Sequence, residues 1–242
     1  MNVAAVSRRS SRVHSITKRV AGLLATATLS IGFLAGTGNA ASVTKVYTGS
    51  TTTSTFVLRG DIRDGDLARL QAQTAKVPAG QRIALLLDSG GGSIAEGIAI
   101  GRYIYATKIT TVAIQGPGCH SSCSFVFLAG RDINTEQPSR IMVKGAKVGF
   151  HQGRISELPD RSYTAQDINT ATQVGQVIVK QVNAYFAEIK ADPEFLTLFL
   201  SAPNSTVTLL NELDALRLGI YVMEPLSKKL LTPDQFAQQT AR

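Results

Sequence analysis

The chain has 242 residues, 44% of them hydrophobic and 17% charged, with a formal net charge of +8. Residues 1–40 hold five of the 25 Lys and Arg and none of the 17 Asp and Glu, so the remainder carries 20 basic against 17 acidic residues, a net of +3. That near balance removes the compositional support for a nucleic-acid binder, since no basic stripe with interleaved aromatics remains. The remaining chain, about 200 residues, suits one domain with a substantial core.

The chain begins with a basic stretch, Arg8, Arg9, Arg12, Lys18 and Arg19, followed by an apolar run over 21–36 and then Gly38-Asn39-Ala40. Basic start, apolar middle and small residues at the −3 and −1 positions are the pattern of a secretory signal. The run is shorter than the roughly 20 residues of a spanning helix. Residues 1–40 are therefore expected to be a signal peptide, with an uncleaved anchor as the alternative, and the protein to be periplasmic or secreted. Residues 41–54 are expected to be a flexible segment, 55–228 the domain, and 229–242 a tail.

Residues 55–62 read as a strand and 64–75 as a weakly periodic helix, with a turn at Pro78-Ala79-Gly80. Arg82–Asp88 is a continuous apolar run, the mark of a strand buried on both faces. Ser89-Gly90-Gly91-Gly92 follows at once, and 93–106 reads as a helix with Ser93 as N-cap and Glu96 completing a capping-box pattern. Strand-like runs at 109–115, Arg140–Val143 and 147–151 surround a short apolar helix entered at Ser121. The longest helical periodicity covers 165–189, and a helix around 209–218 stops at Gly219. The alternation predicts an α/β domain with largely parallel pairing.

Three segments carry chemistry. Glycines at the carboxyl end of a buried strand let backbone N–H groups approach a ligand closely, although a tight turn needs the same residues. The spacing matches neither a dinucleotide fingerprint nor a P-loop. Ser121, in Gly118-Cys119-His120-Ser121-Ser122-Cys123, sits at a strand-to-helix corner, where serine usually serves as an N-cap. His151 ends an apolar run, and His120 is a rival base. A nucleophile, bare amides and a base are the parts that acyl transfer requires. Cys119 and Cys123 could form a disulfide or remain two buried thiols. Four residues apart on a regular helix is marginal for a disulfide, which a non-helical first residue would relieve. No second Cys/His cluster supports a metal site, and no cofactor is expected.

Taken together, these segments resemble the Clp protease proteolytic-subunit family of the Clp/crotonase fold, over about residues 58–219. Residues 84–94 are similar to its oxyanion-hole glycine strand, 111–130 to its nucleophile segment and 146–152 to its histidine segment. The similarity is closest to exported Clp-like proteins with a cysteine on either side of the serine. The resemblance implies a spiral of β-β-α units with a largely parallel core sheet and a long protruding helix. It implies Ser121 as nucleophile, His151 as base, and the Gly92 and Ser122 amides as oxyanion hole. It also implies a peptide or protein substrate and a homo-oligomer. An exported member would lack ATP, so no ATP-driven unfoldase is expected as partner.

One departure stands out. The family's aspartate should fall within 202–207, which holds no carboxylate. Asn204 is the nearest fit and could orient His151 but not neutralise it, with Asp192 and Asp214 as further candidates. The alternative to an exported serine hydrolase is a catalytically degenerate Clp-fold binding or scaffold protein of the cell envelope. A crotonase-type acyl-CoA enzyme and a Ser-Lys peptidase using Lys144 or Lys147 are weaker rivals.

Overall fold

The computed structural model describes residues 40–153, 161–202 and 205–240. Its main sheet has seven strands, β1 (Ser42–Val46) at one edge, β10 (Leu230–Leu231) at the other and five between them. The central five are β2 (Thr53–Arg59), β3 (Arg82–Asp88), β4 (Thr110–Ala113), β6 (Arg140–Val143) and β9 (Tyr221–Met223). They pair in parallel, with Leu58 beside Leu87, Leu86 beside Val112, Val112 beside Ile141 and Met142 beside Val222. Such strands are covered on both faces, which explains their unbroken apolar runs.

The edges differ from expectation. Residues 41–54, expected to be flexible, contain β1 (Ser42–Val46), which pairs antiparallel with β2 from Ser42–Arg59 to Val46–Thr55. Ala41 and Val43 are buried, which fixes the register. Residues 229–242, expected to be a tail, contain β10 (Leu230–Leu231), antiparallel to β9, and α7 (Pro233–Thr240), whose Phe236 packs against the core.

Helices α1 (Asp66–Thr74), α2 (Ile94–Thr107) and α3 (Ser122–Leu128) alternate with the strands. Ser93 caps α2 by accepting from the Glu96 N–H at 3.2 Å. The predicted capping box does not close, because the Glu96 carboxylate reaches across to the Leu67 N–H of α1 at 2.7 Å. The full box occurs instead at α4 (Ala165–Glu188), between Thr164 and Asp167. Every residue of α3 is buried. The far end of α4 clamps it: Tyr185 Oη donates to the Phe125 carbonyl at 2.8 Å, and Phe186 meets Phe125 edge-on at 5.4 Å. Gly101 of α2 leaves room for the Tyr185 ring, which any Cβ there would strike. The predicted helix at 209–218 is shorter, α6 (Glu212–Arg217), because Thr208–Leu209 forms strand β8. Gly219 follows α6 with φ 80°, the left-handed stop. Residues 1–39 and Asn204 lie outside the described residues.

Candidate active site

The site is framed by a second, three-stranded sheet of β5 (Cys119–His120), β7 (Val148–Phe150) and β8. β5 runs parallel to β7, with Cys119 beside Val148 and His120 beside Gly149, and β8 closes antiparallel on β7. The glycine loop joins the other side of β5: Ser89 N–H donates to the Gly118 carbonyl at 2.8 Å, and His120 N–H to the Ser89 carbonyl at 3.0 Å. The loops leaving the carboxyl ends of β3, β4 and β6 are thereby zipped side by side. Open α/β sheets bind ligands at that edge.

The glycines are sterically required at two positions. Gly92 has φ 147°, and a Cβ there would lie 2.1 Å from the Ile62 carbonyl oxygen. Its neighbours hold that contact, since Ile62 N–H donates to Gly91 O and Ser93 N–H to Ile62 O, each at 2.8 Å. Gly91 has φ 98°, and its Cβ would lie 2.6 Å from the His120 carbonyl oxygen and 2.7 Å from Ser121 Cβ. Gly90, by contrast, has open space around it. Ser89 fixes the turn by donating to the Gly60 carbonyl at 2.6 Å and accepting from Gly91 N–H at 3.1 Å.

Ser121 has φ 56° and ψ −128°, a region that a residue with a side chain seldom enters. Its N–H donates to the Gly149 carbonyl at 3.0 Å, continuing the β5–β7 ladder, and α3 begins at the next residue. Although it stands at the N-cap position, its side chain makes no capping hydrogen bond. Its carbonyl accepts from Ser124 Oγ at 2.6 Å instead. The hydroxyl is therefore not committed to the bland role that serine usually has there. Ser122 is the first residue of α3, where an N–H has no intrahelical acceptor. Its side chain is buried against Gly97, and its Oγ has no partner among the described residues.

Cys119 on β5 and Cys123 in the first turn of α3 form a disulfide with Cα atoms 5.2 Å apart. Because Cys119 is extended rather than helical, the four-residue spacing becomes bridgeable. The bond spans Ser121 and ties the strand before it to the helix after it.

His151 follows β7 directly, and its Nδ1 lies 2.6 Å from the Gln152 carbonyl oxygen. A carbonyl can only accept, so in the neutral ring Nδ1 carries the proton and Nε2 is the lone-pair nitrogen. Gln152 is itself held to the end of α5 (Glu194–Ser201). Its N–H donates to Ala202 O at 3.2 Å, and its side-chain amide donates to Leu200 O. Ala202 is thus held beside β7, and Thr208 pairs with Phe150. Among the described residues no carboxylate bonds to His151, and no hydrogen bond joins it to Ser121. Asp192 accepts from Glu194 N–H at the start of α5, and Asp214 accepts from Asn211 and Arg217, so neither serves the histidine.

His120 lies over Gly118, its Nε2 buried and without a partner among the described residues. Burial lowers its pKa below the usual 6.5, and Lys147 and then His151 lower it further. Among the described residues no group of three His, Cys, Asp or Glu is placed to hold a metal.

A largely parallel sheet whose strand ends deliver a glycine loop, a serine on a positive-φ corner and a histidine, all pinned by a small second sheet, defines an α/β protein of the Clp/crotonase kind. The family model described as Clp protease matches residues 38–204. The chain belongs to the Clp protease family. Among curated proteins, none matches it.

Proposed function

We propose that this protein is an exported serine hydrolase that cleaves short or unfolded peptides. Membership of the Clp protease family supports a peptidase-type activity. The observation that carries the reading is the Ser121 hydroxyl, which stands on a strained corner yet caps nothing. In this reading Ser121 Oγ attacks the peptide carbonyl while His151 Nε2 takes its proton. The Gly92 and Ser122 N–H groups hold the oxyanion; losing one such donor typically costs about 3–4 kcal/mol in the transition state. His151 then returns the proton to the leaving amine, and water repeats the sequence on the acyl-enzyme.

The Gln152 carbonyl fixes the histidine tautomer, a part of the task that an aspartate performs in a full triad. It cannot neutralise the imidazolium, so a low turnover is expected unless Asn204 or a bound substrate improves the site. Export is inferred from the signal pattern in residues 1–40, and assembly into a homo-oligomer from the family.

The second reading, a degenerate binding or scaffold protein of the envelope, is favoured by the absence of a carboxylate on His151 among the described residues. A fluorophosphonate probe separates the two. Labelling of wild type that is lost in Ser121→Ala and strongly slowed in His151→Ala supports the hydrolase. Equal labelling of wild type and Ser121→Ala, under conditions that label a control hydrolase, leaves only the binding role.

A further inference from the structure

At the amino end of β6, the opposite strand end from Ser121, lies a cavity of about 310 Å³. Its lining includes Tyr105, Arg131, Glu136, Gln137, Arg140 and Lys190. Arg140 is the unusual member. It is only 3% exposed, and its Nε has no hydrogen-bond partner among the described residues. Its guanidinium is also absent from every ion pair they form. A buried cation is normally paired, because stripping its water costs several kcal/mol.

The neighbouring groups do not supply the missing charge. Glu136 is held by Lys108 at 2.5 Å and by Arg131 at 3.0 Å. Arg131 lies over the Tyr105 ring, 4.6 Å from its centroid, so its position is fixed from two sides. Burial drives the Tyr185 hydroxyl far above its usual pKa, so it stays a neutral phenol and offers Arg140 no negative charge. Burial also pulls Arg140 itself down to about 10, which leaves it cationic at neutral pH. Lys190, at the end of α4 with φ 52°, adds a further ammonium group to the lining. Three cations thus face one carboxylate that two basic residues already engage.

We propose that this cavity binds a small oxyanion, a carboxylate or a phosphate, seated on the Arg140 guanidinium and closed by Lys190. A guanidinium fork matches either group through parallel charge-assisted hydrogen bonds. The cavity is large enough for a small organic acid. This site is separate from the serine site and does not depend on the protein being a hydrolase.

The test is calorimetric titration and thermal unfolding of the full chain with sodium phosphate and with sodium succinate, at ionic strength held constant with sodium chloride. A saturable one-to-one response to either is expected, with Tm rising by roughly 5–10 °C near hundredfold excess over Kd. Phosphate alone, succinate alone, or mutual competition assigns the preferred oxyanion. Arg140→Met should abolish the response, and Lys190→Gln at the lining should weaken binding about tenfold. Should Arg140→Met fail to fold, Lys190→Gln together with Arg131→Gln decides the matter. The proposal is overturned if neither salt exceeds the chloride control. It is equally overturned if binding is unchanged in the cavity variants that fold.

Discussion

Gly91 packs against the corner at Ser121: a Cβ on Gly91 would stand 2.7 Å from the Ser121 Cβ and 3.0 Å from the Ser122 nitrogen. The loop expected to hold an oxyanion and the corner expected to carry the nucleophile are thus one packed unit. The three consecutive glycines should consequently respond differently to alanine. Gly92→Ala meets the Ile62 carbonyl, and Gly91→Ala meets the elbow, both at positive φ. Each should lose roughly 2–4 kcal/mol of stability and any probe labelling at Ser121. Gly90→Ala meets nothing and should stabilise by about 0.5 kcal/mol through the unfolded chain. Urea unfolding of the three variants checks the order; equal effects would mean the loop is not held as described.

Ser121 itself should be a site where stability and function oppose each other. At φ 56° a side chain costs roughly 1–3 kcal/mol that glycine does not incur. Ser121→Gly should therefore raise stability by about 1 kcal/mol, after allowing for the greater freedom of unfolded glycine. Ser121→Ala keeps the Cβ and should leave stability nearly unchanged. Both should abolish probe labelling. Thermal melts of the pair separate backbone strain from loss of the hydroxyl.

These contrasts follow lines already visible in the chain, although not all of the structure was. β3 and α4 are legible because a buried parallel strand is uniformly apolar and a long helix repeats its apolar positions. The order of glycine loop, Ser121 and His151 is legible because each stands where an apolar run begins or ends. The frame that joins them is not. β7 shows as the apolar run at 147–151, but its partners β5 and β8 are two residues long and gain their pairing from distant segments, so no local pattern marks them. β1 and β10 are short edge strands and read as flexible ends. Glu96 has the spacing of a capping box but bonds to α1, a tertiary choice that spacing cannot express. Arg140 reads as an ordinary charge at a strand start, and only packing reveals that it is buried without a partner.

His120 should give the fold a measurable pH dependence. Its folded-state pKa is depressed below 6.5 by burial and then by Lys147 and His151. Between the folded and unfolded values the unfolded chain binds more protons, so stability rises with pH across that window. It is fully present above about 6.5 and declines as pH falls below that point. In His120→Gln this part of the slope should vanish. Urea midpoints of both proteins from pH 5 to 8 provide the comparison, and parallel profiles would exclude His120 as the cause.

The disulfide should act on the elbow more than its short loop suggests. Closing so small a loop is worth about 2 kcal/mol, or roughly 4–8 °C in Tm for a domain of this size. Both sulfur-bearing residues are fully buried, so reduction should be slow in the native state. Cys119→Ala with Cys123→Ala should show this destabilisation and become indifferent to reductant. Because the bond joins the strand before Ser121 to the helix after it, labelling should fall further than global stability explains. Probe kinetics measured well below both melting temperatures test that excess.

The outer surface of α4 offers the last test. Ile168 is 60% exposed and Val179 is 37% exposed. Eleven residues span about three helical turns, so the two fall on one face with Thr172 and Gly175 between them. Gly175 has no atom within 4 Å of where a Cβ would stand, which leaves that stretch open to another helix. If the protein assembles as inferred, this stripe is a natural contact. Ile168→Asp combined with Val179→Asp should then shift the mass measured by light scattering toward the monomer while leaving the fold intact by circular dichroism. An unchanged assembly would move the contact elsewhere. A wild type that is monomeric at micromolar concentration would remove assembly from the functional proposal altogether.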